Sequence, residues 1–187
     1  KDAFYKEIEK IFTRFEKLAD DGLFKYYGVA VWNAFILDAN EAEHISLEKL
    51  VNIAQKVGGD NHRFKYIQTP FNIAKTQIYS MNTQKVNNES CTLIQAARRL
   101  GVDIISSSSL LQMNLFKKSF NSEVGFILDE SMTLENDIQL ALQFVRSTPG
   151  ILSSLFASKV PVHIKNNVKI ASIKATQPSR YNLLYRL

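Results

Sequence analysis

Few residues in this sequence stand in patterns that could do chemistry. The three histidines, His44, His62 and His163, share no metal-ligand spacing, so no metal site is expected. Serines recur beside them, but none sits in a Gly-x-Ser-x-Gly turn, and hydrolase chemistry has no support. Cys91 is the only cysteine and cannot form an internal disulfide. It follows Ser90 at an expected helix start, where a thiol pKa can fall, but the reading adopted is a reduced, partly buried structural residue. What remains are polar residues placed directly after apolar runs. Ser106 to Ser109 follow Val102-Asp103-Ile104-Ile105, and Ala157-Ser158-Lys159 follow Ile151 to Phe156. Pro161 then opens a helix that carries His163, Asn166 and Asn167. The turn after a strand is where α/β folds place ligands.

The elements that must position these residues follow the hydrophobic pattern. Asp2 to Ala19 reads as an amphipathic helix, with Phe4, Ile8, Ile11, Phe12, Phe15 and Leu18 on one stripe and Gly22 as its cap. Lys25 to Val31 is a strand, and Ser46 caps a helix that runs through Val57 and stops at Gly58-Gly59. Phe64 to Thr69 is the second strand, ended by Pro70. Lys75 to Glu89 is polar and without periodicity, a loop of functional or mobile kind. Ser90 to Leu100 reads as a helix capped by Gly101, and Val102 to Ser106 as the third strand. Leu110 to Phe120 is a short helix or an ordered loop, and Thr133 to Ser147 is a helix stopped by Pro149-Gly150. Ile151 to Phe156 is a short apolar run, read as a buried parallel strand, and the aromatic, basic tail from Gln177 packs across the surface.

The strands begin near residues 25, 64, 103 and 151, a βα repeat of about 40 residues in a single domain, 1–187. Four parallel strands alternating with helices fit an open doubly wound sheet or half of a (β/α)8 TIM barrel. No Gly-x-Gly-x-x-Gly turn follows a strand, which argues against the dinucleotide-binding sheet and favours the half barrel.

Composition narrows the setting. Hydrophobic residues make up 45% of the chain, ordinary for a globular protein and too many for disorder. A net charge of +5 could suit a phosphorylated ligand or nucleic acid, but Lys and Arg are scattered, and a solvated basic surface is the reading taken, with no nucleic-acid partner. No run of about 18 apolar residues is present and no signal peptide is visible, so no membrane partner is expected and the compartment expected is the cytoplasm.

Taken in order, these segments resemble the C-terminal half of an aldo-keto reductase. Lys25-Tyr26-Tyr27-Gly28-Val29 resembles the family's fifth strand, and Tyr66-Ile67-Gln68-Thr69-Pro70-Phe71-Asn72 its sixth, where Val-Gln-x-Pro-Tyr-Asn is usual. Gly101 to Ile105 with Ser109-Leu110-Leu111-Gln112 resembles the seventh strand and its loop. Ala141 to Val145, Pro149-Gly150 and Lys159-x-Pro161-x-His163-x-x-x-Asn167 resemble the eighth unit. The resemblance covers nearly the whole chain and implies NADPH as cofactor. It assigns Gln68 to the nicotinamide amide, Ser108, Ser109 and Leu110 to the pyrophosphate, and Ser158, Lys159, His163 and Asn167 to the adenosine phosphate and adenine. Hydroxyls, backbone N–H groups and a helix N-terminus suit a phosphate, and Lys159 adds charge.

The departures are specific. The Ser-Asn pair expected after the fifth strand's Gly-Val is Ala30-Val31, Ser107 stands where a stacking aromatic is common, and Asn166 replaces a usual Glu. The resemblance also places the catalytic Tyr, Lys, Asp and His in the first four βα units, ahead of Lys1. No tyrosine here (Tyr5, Tyr26, Tyr27, Tyr66, Tyr79, Tyr181 or Tyr185) matches that motif, so no catalytic residue is expected and the chain alone should not reduce carbonyls. A half barrel exposes two sheet edges and an apolar face. Three states would cover them: a missing N-terminal half as another or a cleaved chain, a second copy of this chain, or a rearranged fragment. The alternative function is a non-catalytic half-barrel module that self-associates.

Overall fold

Helix α1, Asp2–Asp20, ends where the main chain turns left-handed at Gly22 (φ 79°), with Gly22 and Leu23 N–H groups donating to Ala19 and Leu18 carbonyls. In the computed structural model, which describes residues 1–117, 120 and 122–185, α1 opens the first of two compact units. That unit comprises Lys1–Thr69 with Gln77–Ile104, and the second comprises Pro70–Thr76 with Ile105–Leu187. Six strands are present among the described residues: β1 (Tyr27–Ala30), β2 (Phe64–Pro70), β3 (Gln84–Val86), β4 (Glu89–Cys91), β5 (Asp103–Ser107) and β6 (Ile151–Ser154). Four of them form a parallel sheet in the order β1-β2-β5-β6. Consecutive order without a switch in direction is what a barrel requires and a doubly wound sheet lacks.

In the first unit, Phe12 is the buried knob of α1, packed on the rings of Tyr27 and Phe64, each with its centroid 5.0 Å away. Glu16 is buried beside it and accepts from the Tyr27 hydroxyl (2.8 Å), Arg63 N (2.8 Å) and Arg63 Nη1 (3.0 Å). Burial alone would raise the Glu16 pKa, but these donors hold it below the ordinary carboxylate range. Strand β1 lies so close to β2 that a Cβ on Gly28 would sit 2.1 Å from the Tyr66 carbonyl oxygen. The register pairs Val29 with Ile67 and Ala30 with Gln68. Helix α2, Leu47–Gly58, begins as expected at Ser46, whose side chain accepts from Lys49 N.

The segment Lys75 to Glu89, expected to be loop, instead folds a turn of helix, α3 (Gln77–Ser80), and an antiparallel hairpin of β3 with β4. Asn87 and Asn88 make the hairpin turn with φ of 51° and 65°. The hairpin escaped the periodicity because its anchor is polar. Gln84 is buried, donates to the Phe35 and Ile45 carbonyls and accepts from Leu47 N. Helix α4 is Leu93–Leu100, three residues later than the start expected at Ser90, because Thr92 and Gln95 form a capping box. Cys91 therefore lies in β4, buried, with its thiol pKa pushed up by burial. Gly101 caps α4 in the left-handed region, as expected.

In the second unit, α5 (Ser122–Leu128) and α6 (Asp137–Ser147) are joined by a turn wound around Asp129. That turn absorbs Thr133 to Glu135, so α6 starts at its cap Asn136 rather than at Thr133. Strand β6 ends at Ser154, short of Phe156, and of its apolar run only Ile151 is buried, because β6 is the last strand in the order. Helix α7, Pro161–Val168, has Pro at its first turn as expected. The tail does more than cross the surface. Tyr181, at the end of α8 (Pro178–Tyr181), is fully buried, lies 5.4 Å from the Phe144 ring and shares a 2.6 Å hydrogen bond with the Thr148 hydroxyl. Of the expected Leu110 to Phe120 element and the tail, Lys118, Ser119, Arg186 and Leu187 lie outside the described residues. No described helix is long and apolar enough to cross a membrane.

Candidate functional site

In the second unit, polar side chains converge where β5 and β6 end. Ser106 is buried and its hydroxyl donates to the Phe71 carbonyl at 2.8 Å. Ser109, also buried, lies 3.3 Å from the Ser106 Oγ and accepts from the Ser154 hydroxyl at 3.1 Å. Asn72 is buried, donates its amide to the Ser108 carbonyl (3.0 Å) and accepts from Ala74 N (3.0 Å). Main-chain bonds from Phe71 N to the Ser107 carbonyl and from Leu155 N to the Ser106 carbonyl complete the lacing. Half-buried Lys75, whose N–H bonds the Asn72 carbonyl at 2.9 Å, has its pKa lowered by burial.

This lacing fixes the start of an unusual loop. Ser108, Leu111, Gln112 and Met113 all hold positive φ, from 46° to 67°, although none is glycine. Each costs of order 1 kcal/mol or more relative to an ordinary conformation, and such strain collects at ligand-clamping segments. Within the loop, Leu111 N donates to the Ser108 carbonyl and Met113 N to the Leu110 carbonyl, both at 2.8 Å. Of the expected pyrophosphate residues, Ser109 is thus a buried anchor, whereas Ser108 and Leu110 are half-buried on the loop itself.

Of the expected adenosine residues, Ser158, Lys159 and His163 lie around the start of α7 and Asn167 near its end. Ser158 accepts from Val160 N at 3.1 Å, Lys159 and His163 are exposed, and Asn167 is buried toward the helix end. No side chain caps α7, so its first N–H groups keep the positive dipole end that attracts a phosphate. The hydroxyl cluster does not extend to these residues among the described hydrogen bonds. Gln68 belongs to the first unit. It sits half-buried at the end of β2, where its carbonyl accepts from Val31 N at 2.9 Å and its carboxamide has no partner among the described residues. Among the described residues no group of three His, Cys, Asp or Glu could hold a metal.

Sequence reasoning left Asn72, Ser106 and Ser154 without roles. Ser154 was hidden inside a run read as apolar, yet a serine at the C-terminal end of a parallel strand is itself a signal. Asn72 carried the same signal directly after β2.

No protein-family model and no curated protein matches the chain. Solved structures do. A thermostable aldo-keto reductase, crystallised with the inhibitor epalrestat, matches with a TM-score of 0.59 and 17% identity over 95% of this chain and 53% of its own. An aldo/keto reductase from Klebsiella pneumoniae, in complex with NADP and acetate, matches at 0.55 and 15% identity, covering 96% of this chain and 53% of its own. The holo form of an aldo-keto reductase from Bacillus halodurans matches at 0.51 and 9% identity, over 95% and 67%. The chain has the fold of part of an aldo-keto reductase (β/α)8 barrel. It spans about half the length of the first two of these structures.

Proposed function

We propose that the chain is the C-terminal portion of an NADPH-dependent aldo-keto reductase of the cytoplasm, a carbonyl/alcohol oxidoreductase active only when an N-terminal half barrel completes it. The observation that carries this reading is the strained, hydroxyl-anchored loop Ser108–Met113, which follows β5 where the resemblance puts the pyrophosphate. In this reading Gln68 holds the nicotinamide amide through its unpartnered carboxamide. Ser108, Ser109 and Leu110 hold the pyrophosphate, and Ser158, Lys159, His163 and Asn167 hold the adenosine phosphate and adenine. NADPH, when bound, supplies the hydride for carbonyl reduction. The chain's own residues bind and orient. Lys159 and the uncapped start of α7 offer positive charge to the adenosine phosphate, and the Ser106–Ser109–Ser154 hydroxyls keep the loop in place.

A proton donor must come from elsewhere. Tyr27 and Tyr79 are both pushed above the usual tyrosine range by burial, Tyr27 further by its bond to Glu16, which is the opposite of what a catalytic acid needs. Titration of the purified chain with NADPH, followed by Trp32 fluorescence, tests the reading. Saturable micromolar binding, weakened about tenfold by Lys159→Ala through loss of one charge-assisted phosphate contact, is the expected result. No binding at millimolar cofactor would refute it.

A further inference from the structure

The second unit holds a cavity that the cofactor reading does not use. It measures about 1030 Å³, at the upper end of the range that small organic ligands fill. One wall is the turn after α5 with the start of α6, and the other is the tail from Lys169 to Leu183. None of Gln68, Ser108 to Leu110 or Ser158 to Asn167 lines it.

The tail wall is preformed. Ile173 and Gln177 are extended (ψ 136° and 143°), and the stretch between them is pinned from behind by α6. Arg146 Nη1 donates to the Ile173 carbonyl (2.7 Å), Gln143 Nε2 to the Lys174 carbonyl (2.8 Å), and Thr176 N to the Ser147 hydroxyl (3.0 Å). Arg180 Nε ties α8 to the end of α5 through the Ile127 carbonyl at 2.6 Å. A wall held in this way needs little ordering when a ligand arrives.

Charge on the lining is unequally matched. Residues 138–187 contain no Asp or Glu, so every carboxylate at the cavity comes from residues 129–135. All three are engaged: Asp129 by the donors of its own turn, Glu130 by Arg180, and Glu135 by Lys169 at 2.9 Å. Lys174 is the one lining cation without a carboxylate partner among the described residues. The Ser131 and Ser179 hydroxyls, also on the lining, have no partner among those residues either. Ile127, Leu128, Ile173 and Leu183 supply aliphatic surface.

One uncompensated ammonium, spare hydroxyls and an aliphatic surface together suit a monoanion with an apolar body, whereas a dianionic phosphate would leave a charge unmatched. We propose that this cavity binds a small organic acid, its carboxylate on Lys174 and its apolar body over Ile173 and Leu183. The inference rests on the second unit alone and stands apart from the cofactor reading.

Isothermal titration of the full chain with octanoate tests it, beside octylammonium, which has the same tail and the opposite charge. Octanoate is expected to saturate one site with a dissociation constant of about 1 mM or tighter, and octylammonium is expected not to saturate. Lys174→Met keeps the stem and removes the charge, and should weaken octanoate about tenfold. Leu183→Asp, at an exposed position and with the fold intact by circular dichroism, should weaken it as much. Added NADPH should leave octanoate affinity unchanged, since the two sets of residues do not overlap. No saturation by octanoate at about 10 mM, tenfold above the expected constant, would overturn the proposal. So would equal binding of octylammonium, wild-type affinity in either variant, or displacement of octanoate by NADPH.

Discussion

Asp129 is the residue whose replacement should most clearly destabilise the second unit. Its carboxylate is buried and takes four donors: Ser131 N at 3.2 Å on Oδ1, and Thr133 N (2.5 Å), the Thr133 hydroxyl (2.7 Å) and Leu134 N (3.1 Å) on Oδ2. Asp129→Asn keeps the shape but offers one oxygen. With that oxygen on the Ser131 side, an amide NH2 faces three donors; flipped, it faces Ser131 N. The flipped form is the better one: it loses the Ser131 bond, about 1 kcal/mol, and the three bonds it keeps fall from charge-assisted to neutral strength at roughly 0.5–1 kcal/mol each, which together put the cost at about 3 kcal/mol. The turn it organises leads from Leu128, whose carbonyl accepts from Gln143 Nε2 and the Thr176 hydroxyl, so the loss should be felt through α5, α6 and the tail. Urea unfolding followed by circular dichroism should show the lower midpoint with an unchanged slope. A loss under about 0.5 kcal/mol, the range of an ordinary surface change, would refute the argument.

The same residue predicts a pH dependence. Burial acts to raise the Asp129 pKa, but the bonds from Thr133, Leu134 and Ser131 outweigh it and hold the carboxyl below its ordinary range. Its stabilisation is therefore fully present above the unfolded-state carboxylate value and lost as pH falls through the lower folded value, so Asp129→Asn should flatten the acid limb of the stability curve.

Other expectations follow from single contacts. Gly28→Ala should prevent β1 from pairing at its observed register, since a Cβ would meet the Tyr66 carbonyl at 2.1 Å; a loss of more than about 3 kcal/mol by thermal unfolding is expected, and a near-neutral variant would contradict the pairing. Tyr181→Ala should cost about 3–5 kcal/mol through the cavity left against Phe144 and the lost Thr148 bond, read by urea unfolding. Cys91 should resist a thiol reagent in the native chain and react on unfolding, because it is buried and burial raises its pKa; rapid native labelling would contradict its place in β4.

The elements written in apolar periodicity were legible. Helices α1 and α2, their caps at Gly22 and Ser46, the four parallel strands and the Pro161 start of α7 all follow from local pattern and turn chemistry. What periodicity could not show was structure held by polar groups. The hairpin rests on Gln84, the late start of α6 on Asp129, and the lacing of the site on Asn72, Ser106 and Ser154. Asp129 draws its donors from Ser131 to Leu134 nearby, but Gln84, Asn72, Ser106 and Ser154 reach partners at least 35 residues away, a choice that depends on the fold and leaves no trace in the spacing. The exposure of Leu152 and Leu155 was equally invisible, because an apolar run cannot say whether its strand is central or at an edge. The left-handed Leu111-Gln112-Met113 run has no sequence signal at all, since residues of these types seldom adopt it.

The measurement that bears most directly on the cofactor reading is amide hydrogen exchange of the purified chain with and without NADPH. Protection concentrated at Ser108 to Met113 and at Ser158 to His163 is the predicted result. Saturating cofactor that leaves both segments exchanging as before, or protects residues elsewhere, would contradict it.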